Sequence, residues 1–101
     1  MLTPTQIKDI TEGKITGTPL KSLGLRGRGE VFMVGALCVR VVTRASRFLR
    51  KDAEAFLSIL DAAQAQTPER LQGQVIIERA PVCSKARTWL EGKGITVLSL
   101  T

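Results

Sequence analysis

The sequence predicts an α+β fold: N-terminal helices, a β-hairpin, then helix, strand, helix and strand, forming one mixed sheet flanked by helices. Three observations lead there. Glu30–Val34 and Leu37–Thr43 are strand-like runs joined at Gly35-Ala36, which is hairpin spacing. Beyond them, segments with helical spacing alternate with short apolar runs, the order that makes parallel neighbours through right-handed crossovers. Three Thr-Pro pairs also place a capping hydroxyl beside a residue whose fixed φ suits the first helical position.

Each element has its own warrant. Thr3-Pro4 opens a helix with Gln6 at the capping-box position, Ile7 and Ile10 on one face, and Gly13 at its end. Thr18-Pro19 is expected to open a second, short helix carrying Leu20 and Leu23, closed by Gly24 in the left-handed region. In the hairpin, Val39, Val41 and Thr43 alternate with Arg40 and Val42, so Arg40 falls on the face opposite Val39 and Val41. The main helix covers residues 50–66, with Ala53, Phe56, Leu57, Leu60 and Ala63 at helical spacing and Asp52 and Glu54 near its positive end. Thr67-Pro68 is expected to start a single helical turn over residues 69–72, ended by Gly73. Residues 74–78 form a strand, Ser84–Gly92 a helix turning Ala86, Trp89 and Leu90 inward, and residues 95–100 the last strand. The Thr-Pro pairs are unevenly spaced, so they mark no internal repeat.

With 101 residues, the chain is expected to form one domain: residues 1–25 as an N-terminal helical segment and 26–101 as the sheet-containing core. An apolar content of 44% supplies material for one core. No apolar run approaches the roughly 20 residues of a membrane span, and the start lacks a secretory segment, so a soluble cytoplasmic protein is expected. The chain has no His, which removes the commonest general base and zinc ligand, and two cysteines cannot complete a structural zinc site. No catalytic set, metal or cofactor is therefore expected.

The charge is unevenly placed. The formal net charge is +6, and all of the excess lies in residues 1–50, whereas residues 51–101 balance. Between Arg26 and Lys51 stand Arg26, Arg28, Arg40, Arg44, Arg47, Arg50 and Lys51 against the single acid Glu30. Six of those seven cations are Arg, whose planar fork of donors matches phosphate and carboxylate better than a lysine point charge. Such a cluster is the footprint of a polyanion-binding surface, or of a sheet edge kept soluble by charge.

Other phosphate-binding devices find less support. Gly24-Leu25-Arg26-Gly27-Arg28-Gly29 is glycine-rich but precedes a strand, so it is neither a P-loop nor a dinucleotide fingerprint. The first two helices lack the base-reading first turn of a helix-turn-helix. Cys38, within an apolar strand, is expected to be a buried small hydrophobe. Cys83 precedes a helix with Arg79, Lys85 and Arg87 nearby, a setting that would stabilise a thiolate. Residues 80–90, Ala-Pro-Val-Cys-Ser-Lys-Ala-Arg-Thr-Trp-Leu, followed by Gly94-Ile95, resemble the active-site turn and first helix of glutaredoxins. Ala80 stands where that family has its nucleophilic cysteine, so the resemblance implies at most a thiol activity of Cys83.

A second resemblance covers residues 29–100. The order hairpin, helix, strand, helix, strand, with Gln74-Val75-Ile76-Ile77-Glu78-Arg79 leading to Cys83-Ser84-Lys85-Ala86-Arg87 and then Gly94-Ile95-Thr96-Val97, is similar to the restriction-endonuclease-like fold. The branch it resembles contains Mrr-type restriction enzymes and archaeal Holliday junction resolvases. In that family an Asp on the first hairpin strand, and a Glu or Gln followed two residues later by Lys on the second, hold Mg²⁺ for phosphodiester cleavage. Here the first strand offers Val31, Phe32 and Met33, and the second Arg40 and Val42. The resemblance thus implies the scaffold without the metal ligands.

The expectation is a small basic nucleic-acid-binding protein, inactive as a nuclease. It would contact phosphates through Arg26, Arg28, Arg40, Arg44, Arg47, Arg50 and Lys51, with Ser84 and Lys85 adding a helix N-terminal contact. Duplex DNA is preferred to single strands, because the few aromatics are expected in the core. The alternative is an interaction or inhibitor module whose basic face docks on an acidic protein or a larger nucleoprotein complex; a thiol enzyme using Cys83 is the third. A membrane-surface role is not expected, since no long helix opposes an apolar stripe to the charges. The oligomeric state is left open, although an open sheet edge would allow two copies to pair.

Overall fold

The computed structural model describes residues 3–25, 29–43 and 47–100. Within them the fold is α+β, built on a five-stranded mixed sheet in the order β1-β2-β3-β4-β5. Its frame is the hairpin of β2 (Glu30–Val34) and β3 (Leu37–Thr43), with Phe32 opposite Val39 and Val34 opposite Leu37. The two-residue turn needs positive φ at its start, and Gly35 supplies it at 60°. β3 pairs in parallel with β4 (Gln72–Glu78), and β4 in parallel with β5 (Thr96–Leu100).

Parallel pairing requires crossovers, supplied by α2 (Arg50–Gln64) between β3 and β4 and by α3 (Ser84–Gly92) between β4 and β5. Two crossovers of one hand that step the same way along a sheet place their helices on the same face. Here that face carries the main core, including Phe48, Ala53, Phe56, Val75, Ile77, Ala86, Leu90 and Ile95. The opposite face is covered by α1 (Pro4–Thr11), whose Ile10 packs with Phe32, Val39 and Ile76. Thr3 caps α1 reciprocally: its hydroxyl accepts from the Gln6 N–H at 3.2 Å while the Gln6 side-chain carbonyl oxygen accepts from the Thr3 N–H at 3.0 Å. Helices on both faces explain why β4 reads Val75-Ile76-Ile77 without a polar break, all three fully buried.

The other two Thr-Pro pairs behave differently from expectation. Thr18-Pro19 forms the two-residue strand β1, antiparallel to the start of β2, with Thr18 opposite Val31. The turn after it, Leu20–Leu23, is a 3₁₀ turn without a side-chain cap, closed as expected by Gly24 at φ 77°. The Leu20 N–H donates to the Gly29 carbonyl at 3.1 Å, tying the segment to the sheet, so residues 1–25 are not purely helical. Thr67-Pro68 starts no helical turn. The Gln64 side chain supplies what a turn would have: its Nε2 donates to the Glu69 carbonyl at 2.6 Å and its Oε1 accepts from the Leu71 N–H at 2.7 Å. α2 accordingly ends at Gln64 rather than at 66, and β4 begins at Gln72 rather than at 74.

Gly73, expected to end that turn, is instead inside β4. It has no room for a side chain: a Cβ there would lie 2.9 Å from Phe56 Cε2 and 3.1 Å from both Ile95 and Leu60. Gly92, at the end of α3, has nothing within 4 Å of the same position. Gly73→Ala is therefore expected to cost about 1–3 kcal/mol in urea unfolding through overpacking. Gly92→Ala is expected to be neutral or to stabilise by up to about 1 kcal/mol. Equal effects would mean that Phe56 can withdraw from the sheet.

Candidate functional site

β3 and β4 run parallel and end together, at Thr43 and Glu78. In open sheets the crevice beyond the carboxyl ends of parallel strands is the usual ligand position. The two chains leaving this end are fastened to each other before they enter their helices. Phe48 and Val82 form an isolated parallel bridge, in which the Phe48 N–H donates to the Pro81 carbonyl and the Cys83 N–H donates to the Phe48 carbonyl, both at 2.9 Å. Phe48 is itself buried in the main core. The first turns of α2 and α3 are thereby set side by side, with both positive dipole ends at one edge.

Exposed polar residues occupy that rim. Arg47 precedes α2, Arg50 and Lys51 open it, and Ser84 and Lys85 open α3. Arg50, Ser84, Lys85, Thr88 and Trp89 line one shallow groove. The Arg50 guanidinium lies 5.6 Å from the centre of the Trp89 ring, and Lys93 Nζ lies 5.5 Å from it. Trp89 is thus half-buried and engaged by two cations, rather than turned wholly inward. Arg50 Nε also stands 3.9 Å from Glu54, an exposed pair of small energetic weight.

Arg40 occupies a different place. On β3 it is opposite Val75, on the face covered by α2 and α3, and Val39 lies on the face covered by α1, as the alternation requires. It lines a cleft of about 540 Å³ that wraps around the end of β3, touching Ile10 of α1 and Phe56 of α2. Its Nη1 donates to the Glu30 carbonyl at 2.8 Å, and its guanidinium lies close to where a Cβ on Gly29 would be, 2.6 Å from Nη1. Partial burial lowers its pKa and the Glu30 carboxylate opposes that shift. Glu30, Asp52 and Glu78 line the same cleft, so acids outnumber the single guanidinium. Asp52 accepts the Leu49 N–H at 2.8 Å, and a Glu78 oxygen accepts from the Thr43 hydroxyl at 3.3 Å. Among the described residues no three such groups converge as a metal-ligand set.

The cysteines separate as expected. Cys38 is fully buried and its thiol is pushed up to about 11 by burial. Cys83 is half-buried at the N-cap of α3, where the backbone N–H groups of Ala86 and then Lys85 lower its pKa. Partial desolvation opposes them, and the charges of Arg47 and Lys85 favour the thiolate more weakly. Arg87, expected beside Cys83, is instead at β5, donating to the Val97 carbonyl and the Ser99 hydroxyl.

The fold thus gathers Arg47, Arg50, Lys51, Ser84 and Lys85 along one rim and sets Arg40 apart in an acidic cleft. Arg26, Arg28 and Arg44 lie outside the described residues. Arg79, not counted among the phosphate contacts expected from the sequence, directly follows β4 and is exposed at this end. It is the single non-glycine residue with positive φ (65°) among the described residues, a conformation that costs free energy and that the sequence does not advertise.

Iodoacetamide is expected to modify Cys83 in the folded protein and to spare Cys38. The Cys83 rate should rise with pH through a midpoint below the 9.0 of an unperturbed thiol, because its thiolate is the favoured form. Equal labelling of both cysteines under native conditions, read by peptide mass, would contradict the geometry. No protein-family model, curated protein or solved structure matches this chain.

Proposed function

We propose that this chain binds nucleic acid through the phosphate backbone, along the rim formed by the first turns of α2 and α3. The observation that carries this is the Phe48–Val82 bridge, which sets two basic helix starts side by side. Arg47, Arg50, Lys51 and Lys85 are the phosphate contacts, and Ser84 adds a hydroxyl beside the N–H groups of α3. The Arg50 guanidinium lies over the Trp89 ring, a cation–π contact that narrows its rotamers before binding. Arg26, Arg28 and Arg44, outside the described residues, are included in the proposal on the sequence alone. Arg40 contributes least, being engaged by the Glu30 carbonyl, close to the Glu30 carboxylate and in a cleft where acids outnumber cations.

Duplex is the preferred form. Phe32, Phe48 and Phe56 are buried and Trp89 is engaged by two cations, which leaves no aromatic platform among the described residues for unstacked bases. Recognition is by charge and is tolerant of sequence. The sequence resembles the restriction-endonuclease-like fold in the order of its elements but offers no carboxylate where that family holds its metal, so the proposed role is binding without cleavage. The cytoplasm is the compartment in which such a protein would act; among the described residues no helix is long and apolar enough to cross a membrane.

Four phosphate contacts imply a log-log salt slope of about −3.6 for a random duplex, at roughly −0.9 per contact. The double variant Arg50→Ala/Lys85→Ala should reduce it to about −2 with the melting temperature nearly unchanged. Affinity indifferent to salt, or a slope the double variant leaves alone, would overturn the proposal in favour of an acidic protein partner. No Mg²⁺-dependent cleavage of the same duplex is expected; cleavage that a chelator abolishes would show that the carboxylates around the cleft act as ligands.

A further inference from the structure

Among the described residues β5 is the outer strand of the sheet, next to β4 on one side only. An outer strand presents main-chain N–H and C=O groups able to pair with another chain, and proteins guard such edges with charges, bulges or covering elements. The sequence of β5, Thr96-Val97-Leu98-Ser99-Leu100, contains no charge, no proline and no glycine. That is the composition of a strand that adds readily to another. Val97 is buried against the helices and opposite Val75, so β5 is firmly held on its inner side.

Arg87 reaches this strand from α3. Its Nη1 donates to the Val97 carbonyl at 3.3 Å and its Nη2 donates to Ser99 Oγ at 3.1 Å. One guanidinium therefore engages a main-chain acceptor of β5 and, two residues on, the side chain that follows it on the same face. The basic rim lies at the first turns of α2 and α3, so this is a different use of Arg.

We propose that Arg87 is an edge guard, whose guanidinium keeps β5 from pairing with the β5 strand of a second copy of this chain. A second copy is the occupant because an uncharged strand can pair with itself antiparallel about a two-fold axis, each strand presenting the same groups to the other. Arg87 opposes this twice: it withdraws the Val97 carbonyl, and two copies brought together would set two guanidinium groups face to face across the junction.

The test is light scattering after size-exclusion chromatography over a wide range of concentration. The parent chain is expected to stay monomeric. Arg87→Met keeps the packing of the apolar stem and removes both donors and the charge; it is expected to associate increasingly with concentration and to gain intermolecular strand absorption in the infrared. Arg87→Met/Ser99→Lys restores a cation on the edge and is expected to return to monomer. If Arg87→Met does not fold by circular dichroism, Arg87→Lys, which loses the fork and keeps the charge, is expected to show a weaker association of the same kind. A parent dimer, a folded substituted chain that stays monomeric at every concentration, or association that Ser99→Lys leaves intact would each overturn the proposal.

Discussion

The Phe48–Val82 bridge is the constraint on which the site depends. Two segments leaving parallel strands have no reason of their own to stay together; each could enter its helix at a separate angle. Here one short parallel bridge, with Phe48 donating to Pro81 and accepting from Cys83, makes them a single unit. Burial of the Phe48 ring contributes about 1.5–3 kcal/mol, comparable to several surface ion pairs, so it is packing rather than charge that holds the charged rim in place. This arrangement sets Arg47, Arg50, Lys51 and Lys85 along one rim by main-chain pairing and packing of the core.

Charge differs between the rim and the cleft. The rim is basic and exposed, while the cleft at the end of β3 is lined by Glu30, Asp52, Glu78 and Arg40. Three of these four groups make hydrogen bonds within the fold. Asp52 caps α2, Glu78 accepts from Thr43, and Arg40 donates to the Glu30 carbonyl at the start of β2. A buried or half-buried charge must find a partner because desolvation is costly, whereas an exposed one need not. A basic rim is therefore compatible with a neighbouring cleft in which acids outnumber cations.

The two sides of the main helix layer use small residues in the same way. Gly73 lets Phe56 approach the sheet, and Ala53 and Ala86, both fully buried, let α2 and α3 pack closely on it. Close approach of the helices is what brings Arg87 within reach of β5 and Arg50 over Trp89. Both contacts join separate elements, and both depend on the spacing that the core sets.

Local chemistry alone determined much of the fold. The hairpin boundaries, α3 from Ser84 to Gly92 and the capped start of α1 follow from turn residues, period and capping, each a matter of a few neighbours. The burial of Cys38 and the face of Arg40 follow from strand alternation. Thr-Pro pairs were different, because a capping hydroxyl is permissive: Thr18-Pro19 was recruited as a strand by β2, and the segment after Thr67-Pro68 was held by the side chain of Gln64. Only tertiary structure decided which basic residues meet. Arg47 and Lys85 are far apart in sequence and share a rim because two parallel crossovers start at one end of the sheet; Arg40 and Arg47, close in sequence, are separated because one lies in the strand and the other beyond it. Sequence distance sets neither relation, since a strand and its crossover carry the chain away and back before the contacts are made.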